Sequence, residues 1–193
     1  MKILILLVIS LLIIDYYIRS LDLGTMRLGF VDIDYVNFFN DKIFQSTSSL
    51  IQTITKWKES QDKIVFTNGC FDILHLGHID YLTKAADLGN RLIIGVNTDH
   101  SVSNIKGPSR PIIEESTRLA KLASFAFVDA VILFNEETPI ELIKSLEPNV
   151  LVKGGDYSLQ TIVGAEFVKN NGGEVIVIPF LDGSLGIYHT EDH

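Results

Sequence analysis

The densest run of reactive side chains is Thr67-Asn68-Gly69-Cys70-Phe71-Asp72-Ile73-Leu74-His75-Leu76-Gly77-His78. Two histidines three apart, with a glycine between them at the mouth of a predicted helix, make a compact site for a polyanion. Gly77 lets the backbone approach a phosphate closely, and a helix N-terminus adds N–H donors and a partial positive charge. The imidazoles can donate hydrogen bonds to non-bridging oxygens as charge builds on an α-phosphorus. Donors held in place in this way suit nucleotidyl transfer, where positioning and charge stabilisation supply most of the catalysis. Taken alone, the pair also fits a zinc site or a structural helix cap. Cys70 is the one cysteine of the chain. It excludes an intramolecular disulfide and a cysteine-rich metal cluster, leans the chain towards a reducing compartment, and reads as a small packing residue.

Such a site needs elements that bring loops together. Residues 63–66 form a short apolar run ending in Thr67-Asn68-Gly69, a strand followed by a turn. Ile79, Leu82, Ala85, Ala86 and Leu88 follow at helical spacing and stop at Gly89-Asn90. Further strands are expected over 91–96, 130–134, 150–152 and 174–178, with helices over 114–126, 139–146 and 162–170 between them. A loop containing Gly107, Pro108 and Pro111 is expected after the second strand. Apolar strands alternating with helices predict an α/β fold: a Rossmann-like, doubly wound, five-stranded parallel sheet with ligands at the carboxyl ends of its strands. Residues 63–183 are read as that domain. Residues 26–62 are read as a lead-in with a helix over 48–61, residues 1–25 as a hydrophobic appendage, and residues 184–193 as an atypical tail.

The stretch resembles the cytidylyltransferase-like nucleotidyltransferases, whose signature is His-x-Gly-His after the first strand. Four runs narrow the resemblance to the adenylyltransferase domain of the heptose 1-phosphate enzymes. These are Phe66-Thr-Asn-Gly-Cys-Phe-Asp-Ile-Leu-His75, Gly95-Val-Asn-Thr-Asp99, Lys106-Gly-Pro-Ser-Arg-Pro111 and Val152-Lys-Gly-Gly-Asp-Tyr157. The last, with Gly172-Gly-Glu-Val175, favours a heptose acceptor over glycerol phosphate or choline phosphate. The resemblance implies transfer of AMP from ATP to D-glycero-β-D-manno-heptose 1-phosphate, with CTP and glycerol 3-phosphate, or a non-catalytic nucleotide-binding remnant, as the alternatives. Magnesium is implied on the triphosphate, held by phosphate oxygens and water, with no protein metal ligands.

The resemblance also assigns roles. His75 and His78 would hold the α- and β-phosphates, with Gly77 giving close approach. Asn68, Gly69 and Phe71 would line the nucleotide pocket. Asp72 would position the sugar phosphate or help hold the metal. Lys106, in the loop after the second strand, would balance phosphate charge, or be an ordinary solvated lysine. Arg110 and Arg118 would grip the acceptor phosphate, Arg118 serving equally well as a surface helix residue. Asn97 and Asp99, ending the second strand, would face the substrate, or Asp99 would cap a turn. Lys153, Gly155 and Asp156 would meet the nucleotide, a plain Gly-Gly-Asp turn being the other reading.

After the last strand the chain departs from the family. A Ser-Thr-Thr-like run opening a phosphate-binding helix is expected there, and Ser184 stands near its start without the Thr-Thr pair. A formal charge of −8 argues against extended binding along nucleic acid. Residues 3–14 are apolar except for Ser10, short of the roughly 20 residues a membrane span needs. That run fits an appendage before a start at Met26, a membrane-surface anchor or a signal segment. The expected setting is cytoplasmic, with membrane association through residues 3–14 as an option. Homo-oligomers and a separate sugar kinase complete the expected partners.

Overall fold

The computed structural model describes residues 39–179 except 156 and 159, all within one compact unit. The N-terminal apolar run, Asp156 and the departure around Ser184 lie outside the described residues.

Six strands form one parallel sheet: β1 Ile43–Phe44, β2 Ile64–Gly69, β3 Arg91–Asn97, β4 Ala130–Phe134, β5 Val150–Gly154 and β6 Glu174–Ile178. Their order is β1-β4-β3-β2-β5-β6. The helices are α1 Thr47–Glu59, α2 Leu76–Ala86, α3 Asp99–Lys106, α4 Glu115–Ala123, α5 Ile140–Leu146 and α6 Ala165–Asn170.

Alternation along the strands sorts the core into two layers. Val65, Leu92, Ile94, Val96, Val150 and Val152 face a cluster containing Tyr81, Leu82 and Ala85 of α2 and Leu119 and Leu122 of α4. Ile64, Phe66, Ile93, Ile132 and Leu151 face a cluster with Leu50 and Ile54 of α1, Leu142, Ile143 and Leu146 of α5, and Val168 of α6. Both faces of the sheet are covered, which is why its strands read as unbroken apolar runs. Each fully buried Leu, Ile or Val contributes about 1.5–3 kcal/mol.

Three expectations change. The sheet has six strands, because Ile43 and Phe44 pair in parallel with Val131 and Ile132 at the edge; two residues are too short to carry a period. The lead-in is therefore part of the domain: β1 joins the sheet and α1 packs on it. The expected loop after β3 contains a helix, α3, capped by Thr98, whose side chain accepts from the Ser101 N–H. Its polar sequence and weak helix formers hid it, with Val102 its one buried hydrophobic residue. Lys106 accordingly ends a helix instead of sitting in a loop.

The order of the sheet reverses at β2. The β2–β3 ladder runs from Ile64↔Arg91 to Gly69↔Val96, whereas the β2–β5 ladder registers Val65↔Val150 and Phe66↔Leu151. Beyond Phe66, β2 stays with β3 while β5 follows β6 to Gly154↔Ile178. By the rule for open α/β sheets, the crevice outside the carboxyl ends at this switch of strand order is where a ligand is expected.

Candidate active site

Helix α2 begins at this crevice, and its two histidines cap it reciprocally. His75 is the N-cap residue in extended conformation, and its Nδ1 accepts from the Gly77 N–H at 3.1 Å. The His75 N–H in turn donates to His78 Nδ1 at 3.4 Å. The ring centroids stand 4.0 Å apart. With Nδ1 accepting in both rings, a neutral imidazole carries its proton on Nε2. Both histidines are thus set as Nε2–H donors at a helix N-terminus. The cap reading and the phosphate reading are compatible, since the cap is made through Nδ1 of each ring.

Phe71 supports this arrangement from behind. It is 6% exposed and belongs to the core, with its ring edge-on to His78 at 5.7 Å between centroids. Phe71 packs its ring against His78. Its backbone is left-handed, φ 48°, a strained conformation that concentrates at functional sites. Gly69 makes room for the ring, since a Cβ there would lie 3.1 Å from Phe71 Cε2.

Asp72, 5% exposed, does not face outward. Its Oδ1 accepts from the N–H groups of Ile112 and Ile113, both at 2.8 Å, and its Oδ2 from Arg110 Nη1 at 2.7 Å. Burial works to raise its pKa, but the Ile113 and Ile112 amides and the Arg110 guanidinium together outweigh it and hold the carboxyl below its ordinary value. The carboxylate pins residues 110–113. Arg110, with its side chain 35% exposed, is the partner that reaches solvent.

Arg118 is corrected on one point: its side chain is fully buried, so it is not a surface helix residue. Nε donates to Ile113 O at 2.9 Å, Nη1 to Cys70 O at 2.5 Å and Nη2 to Asp99 Oδ1 at 2.8 Å. One guanidinium therefore ties the β2–α2 loop, the head of α3 and the approach to α4. Asp99 opens α3 instead of ending β3, and its N–H donates to Glu115 Oε2 at 2.7 Å. Asn97 is 3% exposed; its Nδ2 donates to Ser101 Oγ at 2.9 Å, and its Oδ1 accepts from the Cys70 thiol at 3.8 Å. It braces the end of β3 against Ser101 and Cys70.

Across the crevice, Lys153 Nζ donates to Asn68 Oδ1 at 2.6 Å and to Asn68 O at 3.3 Å. It also lies 6.0 Å from the centre of the Tyr157 ring. Burial lowers its pKa to about 8. Gly155 follows with φ 99°, its N–H donating to Ile178 O at 2.9 Å. The carboxyl ends of β2 and β5 are thereby joined at the ligand end of the sheet by the Lys153 side chain.

Residues 66–179 match the model of the cytidylyltransferase-like family. The chain belongs to the cytidylyltransferase-like family. Curated relatives include the bifunctional protein HldE of Nitrobacter hamburgensis, 51% identical over 143 residues, covering 74% of this chain and 29% of the relative. The bifunctional protein HldE of Vibrio cholerae is 45% identical over 166 residues, 86% of this chain and 33% of the relative. The chain thus spans about a third of the length of these relatives. Among solved structures, pantoate-beta-alanine ligase from Francisella tularensis matches with a TM-score of 0.53 at 18% identity, covering 75% of this chain and 69% of that one. That likeness concerns the fold. This member of the cytidylyltransferase-like family is a nucleotidyltransferase domain whose His-x-Gly-His helix opens on the crevice at the switch of strand order.

Among the described residues no three His, Cys, Asp or Glu side chains converge as a metal site, and the Asp72 oxygens are taken by N–H donors. No helix among them is long and apolar enough to cross a membrane. Two residues of consequence escaped the sequence reading: Tyr81 and Glu115. Tyr81 carried a signal, its spacing of three from His78 on one helix face; Glu115 carried none.

Proposed function

We propose that the chain is an adenylyltransferase that moves AMP from ATP to D-glycero-β-D-manno-heptose 1-phosphate, giving ADP-heptose and pyrophosphate. The observation that carries this reading is the reciprocal cap of His75 and His78, which sets two Nε2–H donors at the head of α2 beside the crevice. Similarity to the HldE proteins over their matched third, and the Lys153–Tyr157 and Gly172–Val175 runs, support the heptose acceptor.

The step needs no protein nucleophile. A phosphate oxygen of the acceptor attacks the α-phosphorus in line, the new P–O bond forms, and the bond to the bridging oxygen of pyrophosphate breaks. His75 and His78 donate to the oxygens on which charge accumulates, and Arg110, held by Asp72, meets acceptor phosphate. Lys106 adds positive charge from the end of α3. Asn68 at the end of β2, Lys153 at the end of β5 and Asp156 serve the nucleotide. Magnesium, carried on the triphosphate with water, would supply charge neutralisation there. In this reading the reaction is cytoplasmic, serves lipopolysaccharide synthesis, takes its acceptor from a separate sugar kinase, and is performed by a homo-oligomer.

The test is pyrophosphate release by the full chain with magnesium, heptose 1-phosphate and either ATP or CTP. Release with ATP and not CTP is expected. Release with CTP alone would transfer the assignment to a cytidylyltransferase. Nucleotide binding without release from either would leave a binding domain and overturn the enzymatic reading.

A further inference from the structure

Two side-chain ties span the crevice where β2 and β5 part. The first is Lys153 on Asn68. The second lies deeper and belongs to Tyr81, three residues after His78 in α2 and on the same helix face. The Tyr81 ring is 4% exposed and packs in the core. Its hydroxyl pairs with the fully buried Thr67 hydroxyl of β2. It also donates to the Val152 carbonyl of β5 at 3.3 Å. Thr67 and Val152 are the first residues on each strand beyond the Phe66↔Leu151 pair, so this hydroxyl takes over where the ladder stops. Val152 immediately precedes Lys153. Burial raises the Tyr81 pKa, so the phenol is a neutral donor throughout the physiological range.

A phenylalanine would fill the same apolar slot, and the hydroxyl adds nothing to hydrocarbon packing. Its position links three pieces: the helix that carries the histidines, the strand that carries Asn68, and the strand that carries Lys153. We propose that Tyr81 is a positioning residue of the nucleotide site, its hydroxyl fixing the separation of the β2 and β5 walls and so coupling the His75–His78 helix to Lys153. The inference rests on the crevice being the nucleotide site.

The test uses the full chain and its Tyr81→Phe, Lys153→Met and doubly substituted forms, titrated with MgATP in a calorimeter. Tyr81→Phe is expected to weaken binding about tenfold alone and less than about twofold beside Lys153→Met, because coupled residues are not additive. Undiminished binding by Tyr81→Phe, or equal weakening in both backgrounds, overturns the proposal. A second measurement separates this proposal from the nucleotide reading itself: the pH profile of Lys153 acylation by an amine reagent, followed by mass spectrometry without nucleotide. The midpoint, near pH 8 in the parent, is expected to move upward in Tyr81→Phe as the walls relax and water reaches the amine. An unchanged midpoint overturns the proposal, whereas failure of the parent to bind either MgATP or MgCTP tells against the nucleotide reading alone.

Discussion

The Nδ1 of His78 accepts the backbone N–H of His75 at 3.4 Å, so the second histidine of the motif holds the N-cap residue of its own helix. A capping box ordinarily uses Ser or Thr with Glu or Gln; here two imidazoles do the same work. The arrangement separates two functions that one substitution would otherwise confuse. His75→Ala removes cap and donor together and should lower stability by about 1 kcal/mol. His75→Asn keeps a good cap acceptor and should melt close to the parent. Both should lower turnover by about 10²–10³-fold, the scale for losing one oxyanion donor. Thermal melting beside pyrophosphate release checks this, and parental turnover in His75→Asn would end the donor role.

Gly77 and Gly89 give a matched contrast. A Cβ at Gly77 would stand 3.0 Å from Cε1 and Nδ1 of His75, so Gly77→Ala should displace the imidazole and lower activity at least about tenfold, with modest loss of stability. At Gly89 the Cβ would meet Lys63 O at 2.5 Å and Val65 Cγ2 at 2.6 Å, backbone and core rather than site. Gly89→Ala should therefore destabilise by about 1–3 kcal/mol, as overpacking does, with turnover per folded molecule unchanged. Denaturant melts and active-site-normalised rates distinguish the two.

Removing Arg118 should unfasten three loops at once. Arg118→Met leaves the carbonyls of Cys70 and Ile113 without this donor, a cost of about 1–3 kcal/mol for each group left buried and unsatisfied. Arg118→Lys should recover little, because one ammonium cannot reproduce a planar fork. Urea unfolding of the parent and both variants tests this; equal midpoints for all three would show that the ties carry no stability.

The buried ammonium of Lys153 predicts an alkaline gain in stability. Its folded pKa is lowered to about 8 from an ordinary 10.5 by burial. Below pH 8 both states are protonated and the cost of burying the charge is fully present. Between those two values the unfolded chain binds more protons than the folded one, so stability rises with pH. Relative to Lys153→Met, the parent should gain in melting temperature across that window. A difference that stays flat with pH would show that Lys153 keeps its ordinary pKa.

The sequence by itself determined the strand runs from β2 to β6, because each carries a continuous apolar run, as strands covered on both faces of the sheet must in its centre. It also located the His75–Gly77–His78 motif, whose spacing on a helix start carries its chemistry locally. It did not reveal β1, whose two residues have no period, or α3, whose polar residues hide its one turn of cap and one buried valine. Above all it did not separate the polar residues that face a ligand from those that brace the loops. Asp72, Asn97 and Arg118 have the residue types of a binding site, and tertiary structure turns them inward onto amides, carbonyls and one another. Their partners lie as far as 48 positions away. Which charged groups meet solvent and which are consumed in hydrogen bonds depends on those distant partners, because a buried polar group must be satisfied wherever the fold places one. Only the folded chain decides that.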